Sequence, residues 1–203
     1  MLSTLKALRI GKGLIHEVGT IFEADKVHGK IFLISDDFVF SQFGSIVLNQ
    51  IKKFGEIFPI KIEDNSIQKA INLSEFIISN DIDYVVGLGG GKVLDTCKFA
   101  SHMTKRKYIS IPTIVSNDGV ASPIAVLKHE NGRPKSLGST MPYMIIIDTN
   151  IILQSPVKYI HAGIGDTLSN YTALKDWDTA VQRGKDSKND LAYLISKTAF
   201  DIM

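Results

Sequence analysis

The stretch Asp83-Tyr-Val-Val-Gly-Leu-Gly-Gly-Gly-Lys-Val-Leu-Asp-Thr-Cys-Lys98 decides the fold. Tyr84 to Leu88 form a short apolar run of the kind a buried parallel strand needs. Gly89, Gly90 and Gly91 follow, and from Lys92 onward Val93, Leu94, Cys97 and Ala100 recur on one helical face. The reading is strand, glycine turn, helix. Such a turn lets backbone N–H groups approach a phosphate, and the helix N-terminus adds partial positive charge. Lys92 adds a full charge. Asp95 and Thr96 are read as first-turn side chains able to cap or orient the loop. One residue of positive φ suffices for a bare turn, so three successive glycines favour phosphate binding over a ligand-free connection. The pattern is not the P-loop. It is not the usual dinucleotide fingerprint either, since position 92 is Lys where that pattern has its third Gly.

Working outward, Lys30-Ile-Phe-Leu-Ile-Ser35 predicts a strand ended by Asp36 and Asp37, and Phe38 to Lys53 an amphipathic helix. Glu56 to Ile62 predicts a second strand. Asn65 or Ser66 caps a helix running to about Ser79. After the glycine strand and its helix, Lys107 to Ile111 predicts a fourth strand, closed by Pro112. Residues 9–22 read as a strand or loop leading into a short helix. The β-α-β-α-β-α-β order implies an α/β fold with a doubly wound parallel sheet and right-handed crossovers. Ile124 to Leu127 and Met144 to Ile147 are β-favouring, with the polar turn His129-Glu-Asn-Gly-Arg-Pro134 between them. From Pro156 the pattern turns helical and no further strand follows. The expected organisation is an α/β nucleotide-binding domain over residues 1–153 and the start of an all-α domain over residues 154–203.

Ligands of such sheets bind beyond the carboxyl ends of the strands, which selects three polar clusters. The first is Asp36-Asp37. A carboxylate there can accept hydrogen bonds from an adenine ribose, or it can serve as an N-cap before Phe38. The second is the glycine turn. The third is the loop Pro112-Thr-Ile-Val-Ser-Asn-Asp-Gly-Val-Ala-Ser-Pro123, with Thr113, Ser116, Asn117, Asp118 and Ser122, read as a binding loop or a solvated turn. In the helical part, Asp166 is read at a helix start, where a carboxylate suits the dipole. Leu168, Tyr171, Leu174 and Trp177 make an apolar stripe expected to stay uncovered and to favour association.

Composition narrows the class. The chain has 203 residues, is 44% apolar and carries a formal net charge of +2, which gives no reason to expect nucleic acid or an anionic membrane as partner. A single cysteine, Cys97, excludes an internal disulfide framework. The opening Met-Leu-Ser-Thr-Leu-Lys lacks the apolar core of a signal peptide, and no apolar run reaches membrane-spanning length. A cytoplasmic protein without membrane insertion is expected.

Three motifs in order carry a resemblance: Gly-Gly-Gly-Lys-Val-Leu-Asp-Thr (89–96), Pro-Thr-Ile-Val-Ser-Asn-Asp-Gly (112–119) and Gly-Ile-Gly-Asp-Thr-Leu-Ser (163–169). Together they resemble the metal-dependent polyol dehydrogenases of the iron-containing alcohol dehydrogenase type, which include glycerol dehydrogenase and, more distantly, dehydroquinate synthase. Asp118-Gly-Val-Ala-Ser-Pro123 and Tyr171-Thr-Ala-Leu-Lys-Asp-Trp177 most resemble the glycerol-1-phosphate dehydrogenase branch.

The resemblance implies an NAD- or NADP-dependent enzyme with a metal, usually zinc. Gly89, Gly90, Gly91, Lys92, Val93 and Asp95 would belong to the cofactor site, with Asp36 near the adenine ribose and Thr113, Ser116 and Ser122 on the nicotinamide side. Asp118 would bind substrate hydroxyls. Asp166 would be a metal ligand and touch substrate. The implied reaction reduces dihydroxyacetone phosphate, a small phosphorylated ketone, to glycerol 1-phosphate. The alternative within the resemblance is glycerol dehydrogenase. The acidic Asp36-Asp37 pair would repel a 2′-phosphate and favours NAD.

The family's two histidine ligands have no counterpart here, because none of the five histidines follows Asp166. One aspartate cannot hold catalytic zinc tightly. The expectation is the cofactor half of such an enzyme, working with a complementing helical chain or as a homo-oligomer. The alternative is a non-catalytic nucleotide-binding remnant.

Overall fold

In the central strands alternate residues go to opposite faces, and both faces are apolar. Ile31 and Leu33 join one buried cluster, while Phe32 and Ile34 join the other. Tyr84, Val86 and Leu88 likewise part from Val85. Strands with two apolar faces must lie inside a sheet covered on both sides, and the computed structural model, which describes residues 5–202, has that arrangement. Residues 1–4, at the start read for the lack of an apolar leader, lie outside the described residues.

The elements in chain order are β1 (Ala7–Gly11), α1 (Val18–Ala24), β2 (Ile31–Ser35), α2 (Asp37–Val39), α3 (Ser45–Ile51), β3 (Ile57–Lys61), α4 (Ile67–Ser79), β4 (Tyr84–Gly89), α5 (Gly91–Thr104), β5 (Lys107–Pro112), β6 (Ile124–Lys128), β7 (Pro134–Gly138), β8 (Met144–Asp148), α6 (Thr149–Gln154), α7 (Val157–Gln182) and α8 (Asp190–Asp201). Six strands form one sheet in the order β1-β8-β5-β4-β2-β3, with every pairing parallel. Val18 and Phe22 of α1 and Val47 and Ile51 of α3 cover one face. Leu73 and Ile77 of α4 and Val93, Cys97 and Ala100 of α5 cover the other. This is the doubly wound α/β sheet expected, followed by helices.

Three local readings change. The strands near 124 and 144 do not face each other across the polar turn. Ile124–Lys128 pairs antiparallel with Pro134–Gly138 in a separate hairpin, and Met144–Asp148 enters the main sheet between β1 and β5. Pro134-Lys-Ser-Leu-Gly138 carries no β-branched or aromatic residue, so it gave no strand signal. The helix expected over 38–53 is interrupted by a π turn at Phe40–Gly44. A β-carbon at Gly44 would press on the Phe40 ring at 2.7 Å, so only glycine lets that ring lie against the helix. The third change concerns Asp166: α7 begins at Val157, where the pattern turned helical, so Asp166 is not in its first turn.

The chain's packing divides it into two compact units. One runs to Ile114 and resumes over Gly119–Ser155; the other joins Val115–Asp118 to the residues from Pro156 onward. In the second, α8 folds back on α7. Tyr171 stacks on Phe200 with ring centroids 4.3 Å apart, and the Tyr193 hydroxyl donates to Asp178 at 3.0 Å. This contact corrects part of the uncovered stripe. Leu174 is buried and Trp177 is half-buried near Tyr193, while Leu168 and Tyr171 remain exposed.

Candidate functional site

The glycine turn sits at the carboxyl end of β4, in the middle of the sheet. Gly89 has φ +159, and a β-carbon there would meet Val93 at 2.9 Å. Gly90 is the N-cap of α5, and no side chain caps the helix. The first intrahelical bond runs from the Leu94 amide to the Gly90 carbonyl at 3.0 Å. The amides of Gly91, Lys92 and Val93 therefore stand at the helix start without an intrahelical acceptor. A β-carbon on Gly91 would meet nothing within 4 Å, so there is open space beside the start of the helix. Lys92 is exposed beside them. Bare amides, helix-dipole charge and a lysine suit an anionic diphosphate, so the residues present fit a dinucleotide.

Two glycines of the stretch serve packing. A β-carbon at Gly87 would meet Cys97 Sγ at 3.0 Å and the Tyr108 ring at 3.3 Å, which lets α5 lie close on the sheet. Burial pushes the Cys97 thiol above its usual range, so it stays protonated and inert. A β-carbon at Gly90 would touch Ile114 at 3.0 Å.

The capping role read for Asp95 and Thr96 does not hold. Because α5 starts at Gly91, both residues fall in the second turn, beyond the free amides. Thr96 is buried and its hydroxyl donates back to the Lys92 carbonyl at 2.8 Å. Asp95 accepts from Lys98 at 3.1 Å. Lys98 is itself fully buried, with its ammonium also donating to the carbonyls of Gly119 at 2.6 Å and Ile124 at 2.7 Å. It ties α5 to the segment carrying Ser122. Burial raises the Asp95 carboxyl above the ordinary carboxylate range, against the opposing pull of the Lys98 ammonium. Sequence reasoning missed Lys98, since a lone lysine in an amphipathic helix reads as a surface residue.

Next to β4, β2 ends level with the turn. The Ser35 hydroxyl donates to the Leu88 carbonyl at 2.7 Å, tying the two strand ends together. Asp36 follows in extended conformation, and its Oδ1 accepts from the Val39 amide at 2.8 Å, capping α2. The cap uses one carboxylate oxygen. Asp37 is exposed and pairs with Lys61 at the end of β3, 2.9 Å away.

On the other side of β4, Thr113 is buried, and its amide donates to the Gly89 carbonyl at 3.0 Å. Ser122 is half-buried, with its hydroxyl 3.5 Å from the Ile124 carbonyl.

The remaining predicted residues belong to the second unit. Ser116 is half-buried there and Asp118 is exposed. Asp166 lies in the third turn of α7, not at a helix start, so the dipole reading of its carboxylate fails. Gly163 and Gly165 are both helical, as the pattern from Pro156 onward implies. Gly163 has a packing reason, because a β-carbon there would run into the Val115 carbonyl oxygen. One turn on from Gly163, Asp166 Oδ2 accepts the Asp118 amide at 2.9 Å. The helix thus presents a groove and a carboxylate to the same short segment. Among the described residues, no group of three His, Cys, Asp or Glu side chains can hold a metal ion. Asp166 alone does not make a zinc site.

Residues 9–156 match the family model described as iron-containing alcohol dehydrogenase. The chain is 32% identical to glycerol-1-phosphate dehydrogenase (NAD(P)+) of Archaeoglobus fulgidus, over 96% of this chain and 54% of that protein. It is 37% identical to the protein of the same name from Methanococcus maripaludis, over 75% of this chain and 43% of that one. It spans about half the length of the curated relatives it matches. The crystal structure of a probable glycerol dehydrogenase from Sinorhizobium meliloti 1021 shares the fold with a TM-score of 0.81 at 20% identity, covering 100% of this chain and 56% of that one.

Proposed function

Because the chain belongs to the iron-containing alcohol dehydrogenase family, we propose that it is the nucleotide-binding part of an NAD- or NADP-dependent dehydrogenase reducing dihydroxyacetone phosphate to glycerol 1-phosphate. The observation that carries this reading is the uncapped start of α5, where three amides lack an intrahelical acceptor, Lys92 is exposed and a β-carbon on Gly91 would meet nothing within 4 Å. The substrate class is supported by the names of the relatives, glycerol-1-phosphate dehydrogenases acting with NAD(P)+.

In this reading residues 1–153 are the nucleotide-binding domain and residues 154–203 open the helical substrate domain. The amides following Gly90 hold the pyrophosphate, with Lys92 adding charge and Val93 closing the turn. Asp36 accepts a ribose hydroxyl on the oxygen its cap leaves unused. Thr113 and Ser122 line the nicotinamide side. Asp95 acts from behind, holding Lys98 and through it the loop segment. Asp118 binds substrate hydroxyls, and Asp166 orients that segment through the Asp118 amide. When bound, the nicotinamide supplies the hydride that converts a ketone carbon to an alcohol.

A zinc ion, implied by the family resemblance, would need donors beyond Asp166. We place these on a complementing helical segment, such as the part of the Archaeoglobus relative that this chain does not match. We place the protein in the cytoplasm; among the described residues no helix is long and apolar enough to cross a membrane.

Calorimetric titration with NADH tests the nucleotide reading. The native chain binds, and Gly91→Val, whose β-carbon meets nothing within 4 Å, weakens binding at least about tenfold by blocking the diphosphate's approach. Equal affinities would remove the glycine turn from the site. Mixing the chain with the unmatched part of the Archaeoglobus relative, zinc and dihydroxyacetone phosphate then tests turnover, read as NADH oxidation.

A further inference from the structure

The order of strand ends on the sheet gives each part of a dinucleotide a neighbour. Ser35 of β2 is in register with Leu88 of β4 on one side and with Lys61 of β3 on the other. Neighbouring strands lie about 4.8 Å apart, so Lys61 stands two strand spacings, roughly 10 Å, from the glycine turn. A diphosphate over the turn puts the adenine ribose over the end of β2, beside Asp36. On that placement the next strand end outward is that of β3. Lys61 is the basic residue that ends that strand.

The acidic pair had argued against a 2′-phosphate. The structure changes the electrostatics. Asp36 is engaged as a cap, and Asp37 is neutralised by the Lys61 ammonium at 2.9 Å. The same ammonium lies over the Phe40 ring, 5.1 Å from its centroid. Both partners are exposed, 47% for the Lys61 side chain and 71% for Asp37, so their pair is weak and easily exchanged. A 2′-phosphate carries nearly two negative charges and three acceptor oxygens, and it competes well against one solvated carboxylate.

We propose that Lys61, poised on Asp37, is the specificity-determining residue that admits 2′-phosphorylated nucleotides to the ribose site. With NADH the Lys61–Asp37 pair stays closed and the ribose meets Asp36. With NADPH the ammonium turns from Asp37 to the phosphate. The chain accepts both nucleotides because one flexible cation serves either partner. This rests on the nucleotide reading of the glycine turn given above.

Calorimetric titrations with NADH and NADPH, on the native chain and three variants, test it. The native chain binds both. Lys61→Gln weakens NADPH about tenfold, the value of one hydrogen bond to a charged group, and changes NADH less than about twofold. Lys61→Arg restores NADPH binding. Asp37→Asn, which frees the ammonium, tightens NADPH severalfold and leaves NADH unchanged. An unaltered NADPH-to-NADH ratio in Lys61→Gln overturns the assignment, as does a native chain that binds NADH and refuses NADPH. A native chain that binds neither overturns the nucleotide reading itself, and this assignment with it. Circular dichroism of each variant separates these outcomes from misfolding.

Discussion

The backbone amide of Asp118 donates to the carboxylate of Asp166 at 2.9 Å, across 48 residues of chain. Two residues that the motifs marked separately are thus one element. Asp166→Ala is expected to lose about 1–2 kcal/mol of stability, the value of a hydrogen bond to a charged acceptor at a half-exposed site. Asp166→Asn keeps an oxygen acceptor and loses less than half as much. Thermal unfolding of the three proteins checks this, and equal midpoints for native and alanine forms would deny the bond any structural weight.

The two glycines before Asp166 should behave oppositely. At Gly163 a β-carbon meets the Val115 carbonyl, while at Gly165 it meets nothing within 4 Å. Gly165→Ala is expected to stabilise by up to about 1 kcal/mol through helix propensity. Gly163→Ala is expected to destabilise by about 1–3 kcal/mol, because overpacking against backbone outweighs that gain. Denaturant midpoints at constant m-value decide the signs.

Asp95 has a pH signature. Its folded carboxyl is raised above the ordinary value of 3.8, chiefly by burial. The folded state therefore holds this proton more tightly than the unfolded chain does. The contribution of Asp95 to stability is fully present below pH 3.8 and is lost as pH rises through the raised value. The stability difference between native chain and Asp95→Asn should shift against the native chain as pH rises from 3.8, then level off. A difference that moves the other way would mean that Lys98 outweighs burial.

Asp148 is almost fully buried, yet accepts three amides, from Gly13 at 3.0 Å, Ile15 at 2.9 Å and Asn150 at 2.9 Å. Asp148→Ala would orphan all three and is expected to cost at least about 3 kcal/mol. Asp148→Asn, which can satisfy the α6 cap but loses the charge, should fall between. Urea unfolding gives both values, and an alanine variant within 1 kcal/mol of native would show that water replaces the carboxylate.

How far the sequence was legible followed from how many roles each residue type can play. Central parallel strands announce themselves because both faces must be apolar, as in Ile31–Ser35 and Tyr84–Leu88. The glycine turn was legible because three residues without side chains are costly unless something approaches them. β7 was hidden because an exposed hairpin strand needs no apolar face. The helix from Pro156 onward was legible, but the packing role of Gly163 was not, because its partner Val115 comes from another segment. Asp36 had two readings, ribose acceptor and cap. The cap is formed, and it engages only one of the two carboxylate oxygens. Lys98 and Lys61 could not be found by pattern, since the Gly119 and Ile124 carbonyls that bury the first and the Asp37 carboxylate that pairs with the second come from other segments.

The bond between Gly13 and Asp148 spans 135 residues, and β1 has β8 as its single neighbour in the sheet. Of the strands in this sheet, the first to be made is thus the last to acquire a partner. At ordinary translation rates Ala7–Gly11 emerges roughly ten seconds ahead of β8. Through that interval Leu8 and Ile10 belong to a nascent chain with no edge to join, while β5 waits uncovered on one side. Closing so long a loop is slow in any refolding experiment as well. Assembly of this sheet therefore finishes with its first strand, drawn back by a carboxylate of its last.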